Sequence, residues 1–372
     1  LTYPKMKVPP MTVDTTPQFA PAREAVDPIQ FVDESGQLHP GVEPALAPER
    51  VFEGLRLMMF ARAFDAKCFS LQRQGKVGTF APMVGQEACT AGSALALDKH
   101  LDWIVPQYRE LPAQVLHGHP VELIARYRMG HPEGGSLPEN VRVMQFQISL
   151  AAQIPHAVGL AWGMQMKGEP GISVAYFGDG ASSEGDFHEA CNLAGVVKAP
   201  VIFFIQNNQW AISTPREMQS GVADLAARAP GYGFHGVSVD GNDMLAVHQV
   251  TAEARARALA GDGPTIIEAH TFRMWAHTTA DDPTRYVDPA VKARWEARDP
   301  IDRMQRYLKG IDAWSAAQED QWNQEISAEV EAIFERALAE SPGTPEDVFE
   351  HVFARRTPAQ ERQRRFDLGL EA

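Results

Sequence analysis

Two short polar stretches, Gly178-Asp179-Gly180 and Asn207-Asn208, each follow an apolar run, Ile172 to Phe177 and Val201 to Ile205. A carboxylate and an amide carbonyl are hard oxygen donors of the kind Mg2+ or Ca2+ takes, and paired glycines let a backbone approach a phosphate closely. β-Branched and aromatic runs without polar alternation read as strands buried on both faces of a parallel sheet, and Glu184 to Val197 between them reads as a helix. One strand-helix-strand unit of roughly 30 residues returns the chain to the same sheet edge. That places Asp179 and Asn208 on neighbouring loops at the carboxyl ends of their strands, where open α/β sheets bind ligands. The helix after Asp179 is expected to aim its N-terminal N–H groups at the same point. The chemistry this suits is a metal-bridged diphosphate. Each piece alone can be a turn, since Asp caps helices and Asn-Asn suits a bend; their order and spacing together favour the site.

Competing motifs fail residue by residue. Gly178-Asp179-Gly180 is followed by Ala181-Ser182-Ser183, so the third glycine of a dinucleotide fingerprint is missing. Gly180-Ala181-Ser182-Ser183-Glu184 lacks the last glycine of a nucleophile elbow, and no HExxH occurs. His277 opens the Asp-rich run His277-Thr278-Thr279-Ala280-Asp281-Asp282, where a buried core role is not expected. His117 and His119 flank a glycine with no third ligand in sight and read as a solvated turn. Cys68, Cys89 and Cys191 lie far apart and read as small core residues, not as a disulfide framework or a thiolate zinc site.

The elements around these loops repeat the same pattern. Gly236 to Val239, a helix from about Asp243 to Leu259, and Thr265 to His270 form a second crossover unit. The fold class is therefore α/β, an open and mostly parallel sheet with helices on both faces. Residues 1–47 are rich in proline and aperiodic, an extended arm with one short strand near Ile29 to Val32. Helices are expected from Pro48 to about Gln74, Gln86 to Leu97 and Ile154 to Met166, with Gly130 to Gly135 as loop. The α/β domain spans residues 48–310. A helical C-terminal extension, residues 311–372, packs on that same domain, with its longest helix from about Ala316 to Leu338.

Composition narrows the partners. Of 372 residues, 48 are Asp or Glu against 34 Lys or Arg, so the chain carries a net charge of -14 and no basic tract, which disfavours nucleic acid. The longest apolar runs are strand-sized, well below the roughly 18 residues of a membrane span, so no membrane partner is expected. Residues 1–16 lack the apolar centre of a secretory leader, which leaves the cytosol as the expected compartment.

The segment from Gly178 to Ser213, GDGASSEGDFHEACNLAGVVKAPVIFFIQNNQWAIS, resembles the thiamine diphosphate motif. With Leu71 to Gly75 (LQRQG), Val84 to Ala88 (VGQEA), Gln107 to Glu110 (QYRE), Val239 to Asp243 (VDGND) and His277 to Tyr286 (HTTADDPTRY), it is similar to the alpha subunit of the first, decarboxylating component of 2-oxo acid dehydrogenase complexes. The likeness runs from about Pro48 to Phe353 and implies the thiamine diphosphate-binding fold.

By that resemblance Asp179, the Asn208 side chain and the Trp210 carbonyl hold Mg2+ against the two phosphates of thiamine diphosphate. Gln107, Tyr108 and Arg109 reach the diphosphate, Gly178, Gly180 and Ala181 approach it through their backbone, and Leu150 is the apolar residue that keeps the cofactor bent. His277 assists acyl transfer to the lipoyl arm, and Thr278 stands where some members carry a phosphorylated hydroxyl residue. Gln206 departs from members that place an arginine there to hold the diphosphate, so the site leans more on Arg109. Ala152 stands in the threonine place of the potassium cluster of branched-chain members, so that ion is not expected.

The resemblance implies oxidative decarboxylation of a small 2-oxo acid and acyl transfer to lipoyl-lysine of an acyltransferase component. In the family, the glutamate that activates the cofactor's pyrimidine lies in a domain for which this sequence has no signal. A separate beta subunit and an α2β2 assembly are therefore implied, with the isolated chain inactive. Pyruvate is favoured because Gln107 to Gln153, including His117-Gly118-His119-Pro120, looks like bacterial pyruvate-type subunits. A branched-chain acid, 2-oxoisovalerate, is the alternative, suggested by Gln206 to Ser213 and Val239 to Asp243. A rival of another class is a non-catalytic nucleotide-binding or scaffold subunit. Packing alone requires none of Asp179, Asn208, Arg109 and His277, and their joint presence speaks against it.

Overall fold

A computed structural model describes residues 27–370 apart from positions 342 and 351; the first part of the expected arm, residues 1–26, lies outside the described residues. Residues 27–47 start beside the sheet edge and double back through a tight turn at residues 33–37. Ile29 bridges Val239 in parallel and Val32 bridges Leu38, so the expected strand over Ile29 to Val32 is reduced to single bridges. The reason is local: the Asp243 carboxylate takes the N–H groups of Phe31 and Val32, at 2.6 and 2.8 Å.

The first helices follow the sequence. α1 (Pro48–Arg73) starts on its proline, and α2 (Glu87–Leu95) is buried along its whole length. Trp103–Val105 form β1, a three-residue strand too short to leave a sequence signal. α3 (Leu111–Leu116) and α4 (Val121–Met129) follow, and α4 ends on left-handed Gly130, φ 81°. Pro132–Gly135, expected as loop, tighten into a 3-10 turn. His117 and His119 are buried in the turn between α3 and α4, not solvated, and burial pulls each down to about 4, so both stay neutral.

The central units are as expected. α5 (Gln153–Lys167) leads to β2 (Ser173–Gly178), α6 (Gly185–Val197) and β3 (Val201–Asn207). A small hairpin, β4 (Trp210–Ala211) with β5 (Thr214–Pro215), precedes β6 (His235–Asp240), α7 (Met244–Leu259) and β7 (Thr265–His270). The five-stranded sheet has the order β1-β2-β3-β7-β6, and every pairing in it is parallel. Alternate residues of one strand feed opposite cores. Ala175, Phe177, Phe203 and Ile205 face α5 and α6, while Val174, Tyr176, Ile202 and Phe204 face α2 and α7. Two covered faces explain why these strands lack polar alternation.

Three helices, α8 (Pro289–Glu296), α9 (Pro300–Gly310) and α10 (Ala316–Ala339), follow the polar loop after Phe272. α10 opens on a capping box, Ser315 with Gln318, and buries Ile326, Val330, Ile333, Phe334 and Ala337 along one stripe. That stripe joins Leu55, Met58 and Phe64 of α1 in one core, and the Phe64 and Phe334 rings meet tilted, 4.9 Å apart. Two further helices close the tail: α11 (Asp347–Glu350) and α12 (Pro358–Asp367). Sequence periodicity missed α12, although Thr357 and Gln360 form its capping box. Among the described residues no helix is long and apolar enough to cross a membrane.

Asp243 ties two parts of this frame together. One oxygen caps α7 through the Leu245 and Ala246 N–H groups, and the other holds the arm. Asp243→Ala is expected to lower stability by about 2–4 kcal/mol, a lost cap plus one buried and one half-buried amide without acceptors. Chemical denaturation measures the loss. Limited proteolysis within residues 27–47 should speed up in the variant, and unchanged digestion there would count against the tether.

Candidate active site

β2 and β3 end side by side, with Gly178 paired to Gln206. The two loops singled out in the sequence therefore leave the sheet as neighbours, as the crossover argument requires. The first differs in detail. Asp179–Ser183 form a 3-10 turn, closed by the Ser182 hydroxyl on the Asp179 carbonyl (2.7 Å), before α6 begins at Gly185. The backbone at Gly180 and Ala181, not the first turn of α6, is what faces the site. Gly180 must lack a side chain, because a Cβ there would sit 2.7 Å from the Ala211 Cβ, where the β4-β5 hairpin crosses.

A cavity of about 140 Å3 opens at these strand ends. Of the residues expected at the site, Gln107, Tyr108, Arg109, Leu150, Gly178, Gly180, Ala181, Gln206, Asn208, Trp210 and His277 line it. Asp179 sits between two of its glycines, only 2% exposed. A larger open cleft of about 890 Å3, lined by Trp103, Arg142, His156 and Lys167, runs along one face of α5 and contains none of these residues. Chemistry follows the smaller cavity, because the convergent polar groups are there.

The residues fit a divalent cation. Asp179 turns Oδ2 to the Gln219 amide (3.1 Å) and leaves Oδ1 buried with no partner. Burial pushes this carboxyl up to about 6, opposed by Gln219, Arg216 and Arg273. A buried carboxylate oxygen with no donor against it suits a cation ligand. The Asn208 amide donates from Nδ2 to Gln86 Oε1 (3.1 Å), and its Oδ1 accepts only the Trp210 N–H, at 3.3 Å. The Trp210 carbonyl carries one long contact, 3.5 Å from Arg273 Nη1.

The remaining wall is crowded and carries charges of both signs. Arg109 is buried; one Nη binds the Pro82 carbonyl and the other binds His277 at Nδ1 (3.1 Å) and at its carbonyl (2.9 Å). It does not form a surface ion pair with Glu110. The Glu110 carboxylate instead accepts the Arg109 backbone N–H (2.8 Å) and the Gln206 amide (2.6 Å). Burial lowers the Arg109 pKa and raises that of Glu110, so each charge sits uneasily until a counter-charge reaches it. The Tyr108 ring packs against both the Arg109 guanidinium (5.1 Å) and the His277 ring (6.5 Å). Gln206 lines the cavity with its donor already committed to Glu110, leaving only an acceptor, Oε1, without a partner. Leu150 is 42% exposed at the rim and followed by Ala151 at φ 64°, so it is an apolar side chain that the core does not use.

Three residues that the sequence reading missed complete the site. Gln86 and Gln219 hold Asn208 and Asp179, and Arg273 bonds the Ile212 carbonyl (2.7 Å), the Tyr286 hydroxyl (2.7 Å) and His277 Nδ1 (3.3 Å). Tyr286 and the His277 N–H (2.7 Å) both reach the Asp281 carboxylate, which ties the Asp-rich loop to the site. Burial, then Arg109 and Arg273, pull His277 down to about 4.

The model of the dehydrogenase E1 component family matches residues 55–346. Among curated proteins the chain is 39% identical over 330 residues to the pyruvate dehydrogenase E1 component subunit alpha of Bacillus subtilis, covering 88% of this chain and 89% of that one. It is 41% identical over 311 residues to proteins of the same name from Staphylococcus aureus and Staphylococcus epidermidis, covering 83% of this chain and 84% of each relative.

Proposed function

The chain belongs to the dehydrogenase E1 component family of thiamine diphosphate-dependent 2-oxo acid dehydrogenases, and from that premise we propose that it is the alpha subunit of a pyruvate-type enzyme. In this reading it grips the diphosphate end of the cofactor through Mg2+ and joins a beta subunit in an α2β2 assembly. The complete enzyme decarboxylates pyruvate and passes the acyl group to lipoyl-lysine of an acyltransferase component. When bound, thiamine diphosphate supplies the nucleophilic carbon and the electron sink that cleavage of a 2-oxo acid requires.

This chain's own residues would bind and orient. Asp179 Oδ1, Asn208 Oδ1 and the Trp210 carbonyl are the oxygens for the metal, and Arg109 with the Gly180 and Ala181 backbone meets the phosphates. The observation that carries the reading is the free, buried Asp179 oxygen beside Asn208 at the carboxyl ends of β2 and β3, in a chain about 40% identical to pyruvate-type alpha subunits.

Two features support a second subunit. The cavity, about 140 Å3, is smaller than the roughly 300–1,000 Å3 of complete ligand pockets, so it suits one end of a ligand. The carboxylate in its wall, Glu110, is occupied by Arg109 and Gln206, which leaves none among the described lining residues to pair with a pyrimidine.

Reconstitution tests the proposal. The chain purified alone is expected to show no 2-oxo acid dehydrogenase activity, and adding the beta subunit should restore it. Activity from the lone chain would refute the shared site. On the assembled enzyme, kcat/KM for pyruvate should exceed that for 2-oxoisovalerate and 2-oxo-4-methylpentanoate by at least about tenfold, the scale of discrimination that one or more added methyl groups gives in an apolar pocket. A preference for either branched acid would reassign the substrate.

A further inference from the structure

Gln86 is completely buried, 0% exposed, yet its side chain lines the cavity. It occupies the N-cap of α2, and the backbone around it is pinned. The Gly85 N–H donates to Glu87 (2.8 Å), the Gly85 carbonyl accepts from the Thr271 hydroxyl (2.7 Å), and the Met274 N–H reaches the Val84 carbonyl (3.1 Å). Gly85 itself has φ +98°, and a Cβ there would collide with the Phe272 carbonyl, so this segment has one place to lie.

The two ends of the Gln86 amide have different fates. Oε1 accepts from Asn208 Nδ2 at 3.1 Å, whereas Nε2 is buried with no partner. An asparagine amide is nearly symmetric in shape, so only hydrogen bonds decide whether its oxygen or its NH2 faces a cation. Gln86 takes the NH2 of Asn208 and the Trp210 N–H takes the oxygen; the two contacts select the same orientation. The orphaned Nε2 lies in the wall shared with Arg109, Gly180 and Ala181, the groups proposed to meet the phosphates. A fully buried donor needs an acceptor from the protein, from water or from a ligand, and Gln86 Nε2 meets none in the protein.

We propose that Gln86 is a further cofactor-binding residue: its Oε1 locks the Asn208 carbonyl toward the metal, and its Nε2 donates to an oxygen of the metal-diphosphate group. The inference rests on the function proposed above.

Two substitutions in the enzyme assembled with its beta subunit separate the roles. Gln86→Met keeps the volume and removes both contacts. Gln86→Glu keeps an acceptor for Asn208 and sets an anionic oxygen where the donor was. Tryptophan fluorescence gives the Kd of thiamine diphosphate at saturating Mg2+, and the Mg2+ concentration needed for half-binding at saturating cofactor. Gln86→Met is expected to raise both values by about tenfold or more. Gln86→Glu should return the Mg2+ requirement to within about twofold of the parent while the cofactor Kd stays raised by about tenfold. If Gln86→Met fails to assemble, the split seen with Gln86→Glu decides alone. Parent-like values in both variants, or a Gln86→Glu variant that needs as much extra Mg2+ as Gln86→Met, would overturn the assignment. A parent enzyme that binds no thiamine diphosphate with Mg2+ would instead defeat the proposed function.

Discussion

Asp179→Ala is expected to abolish Mg2+-dependent binding of thiamine diphosphate, raising its Kd by about 100-fold or more. The other two oxygens proposed for the metal, from Asn208 and the Trp210 carbonyl, are neutral dipoles, so Asp179 supplies the only full negative charge in the set. Neutral oxygens hold a divalent cation poorly against its own hydration shell. Removing the side chain should leave the sheet intact, because Asp179 Oδ1 has no bond to lose and Oδ2 has one, to Gln219. Isothermal titration with and without Mg2+ measures the effect, and a far-ultraviolet circular dichroism spectrum checks the fold. A pH signature follows. Burial holds the Asp179 carboxyl up at about 6, so above that pH it is ionised and ready, while below it a proton competes with the metal. Cofactor affinity should be flat above pH 6 and fall by up to about tenfold for each unit below. Near-parental binding by Asp179→Ala would remove the metal site from the account.

What the sequence made legible was set by short-range physics. Unbroken apolar runs marked β2 and β3 because both faces of those strands are covered, and crossover length brought Asp179 and Asn208 together. The strand order β3-β7-β6 left no such trace, since any of several orders buries the same side chains. The second layer of the site was hidden for a related reason. Gln86 meets Asn208 from 122 residues away and Gln219 meets Asp179 from 40, and a glutamine looks the same in sequence whether it faces water or holds a ligand. His117 and His119 misled for the opposite reason. A Gly-Pro setting reads as surface, while here the turn is roofed by the Phe146 segment, with His119 and Phe146 rings 6.1 Å apart.

His277→Ala is expected to lower the rate of lipoyl acylation by about 10²–10⁴-fold, while decarboxylation followed with an artificial electron acceptor falls by less than about tenfold. The split comes from how the ring is held. Nδ1 accepts from Arg109 and lies 3.3 Å from Arg273, so the ring proton belongs on Nε2. The His277 N–H and carbonyl are fixed by Asp281 and Arg109, which leaves little freedom to turn. Partial burial, then the Arg109 and Arg273 guanidinium groups, pull the imidazole down to about 4, too low to carry a proton near neutrality. An anionic diphosphate beside Arg109 would offset the first of those charges and lift the His277 pKa toward the pH at which proton transfer is efficient. The histidine is thus expected to become a competent proton carrier only after the cofactor is seated, which suits a late step better than an early one. NMR titration of the histidine ring protons, with His277→Gln to assign the signal, should place it near 4 without cofactor and at least about one unit higher with thiamine diphosphate and Mg2+. An equal loss in both assays, with a pKa that does not move, would assign His277 to cofactor binding alone.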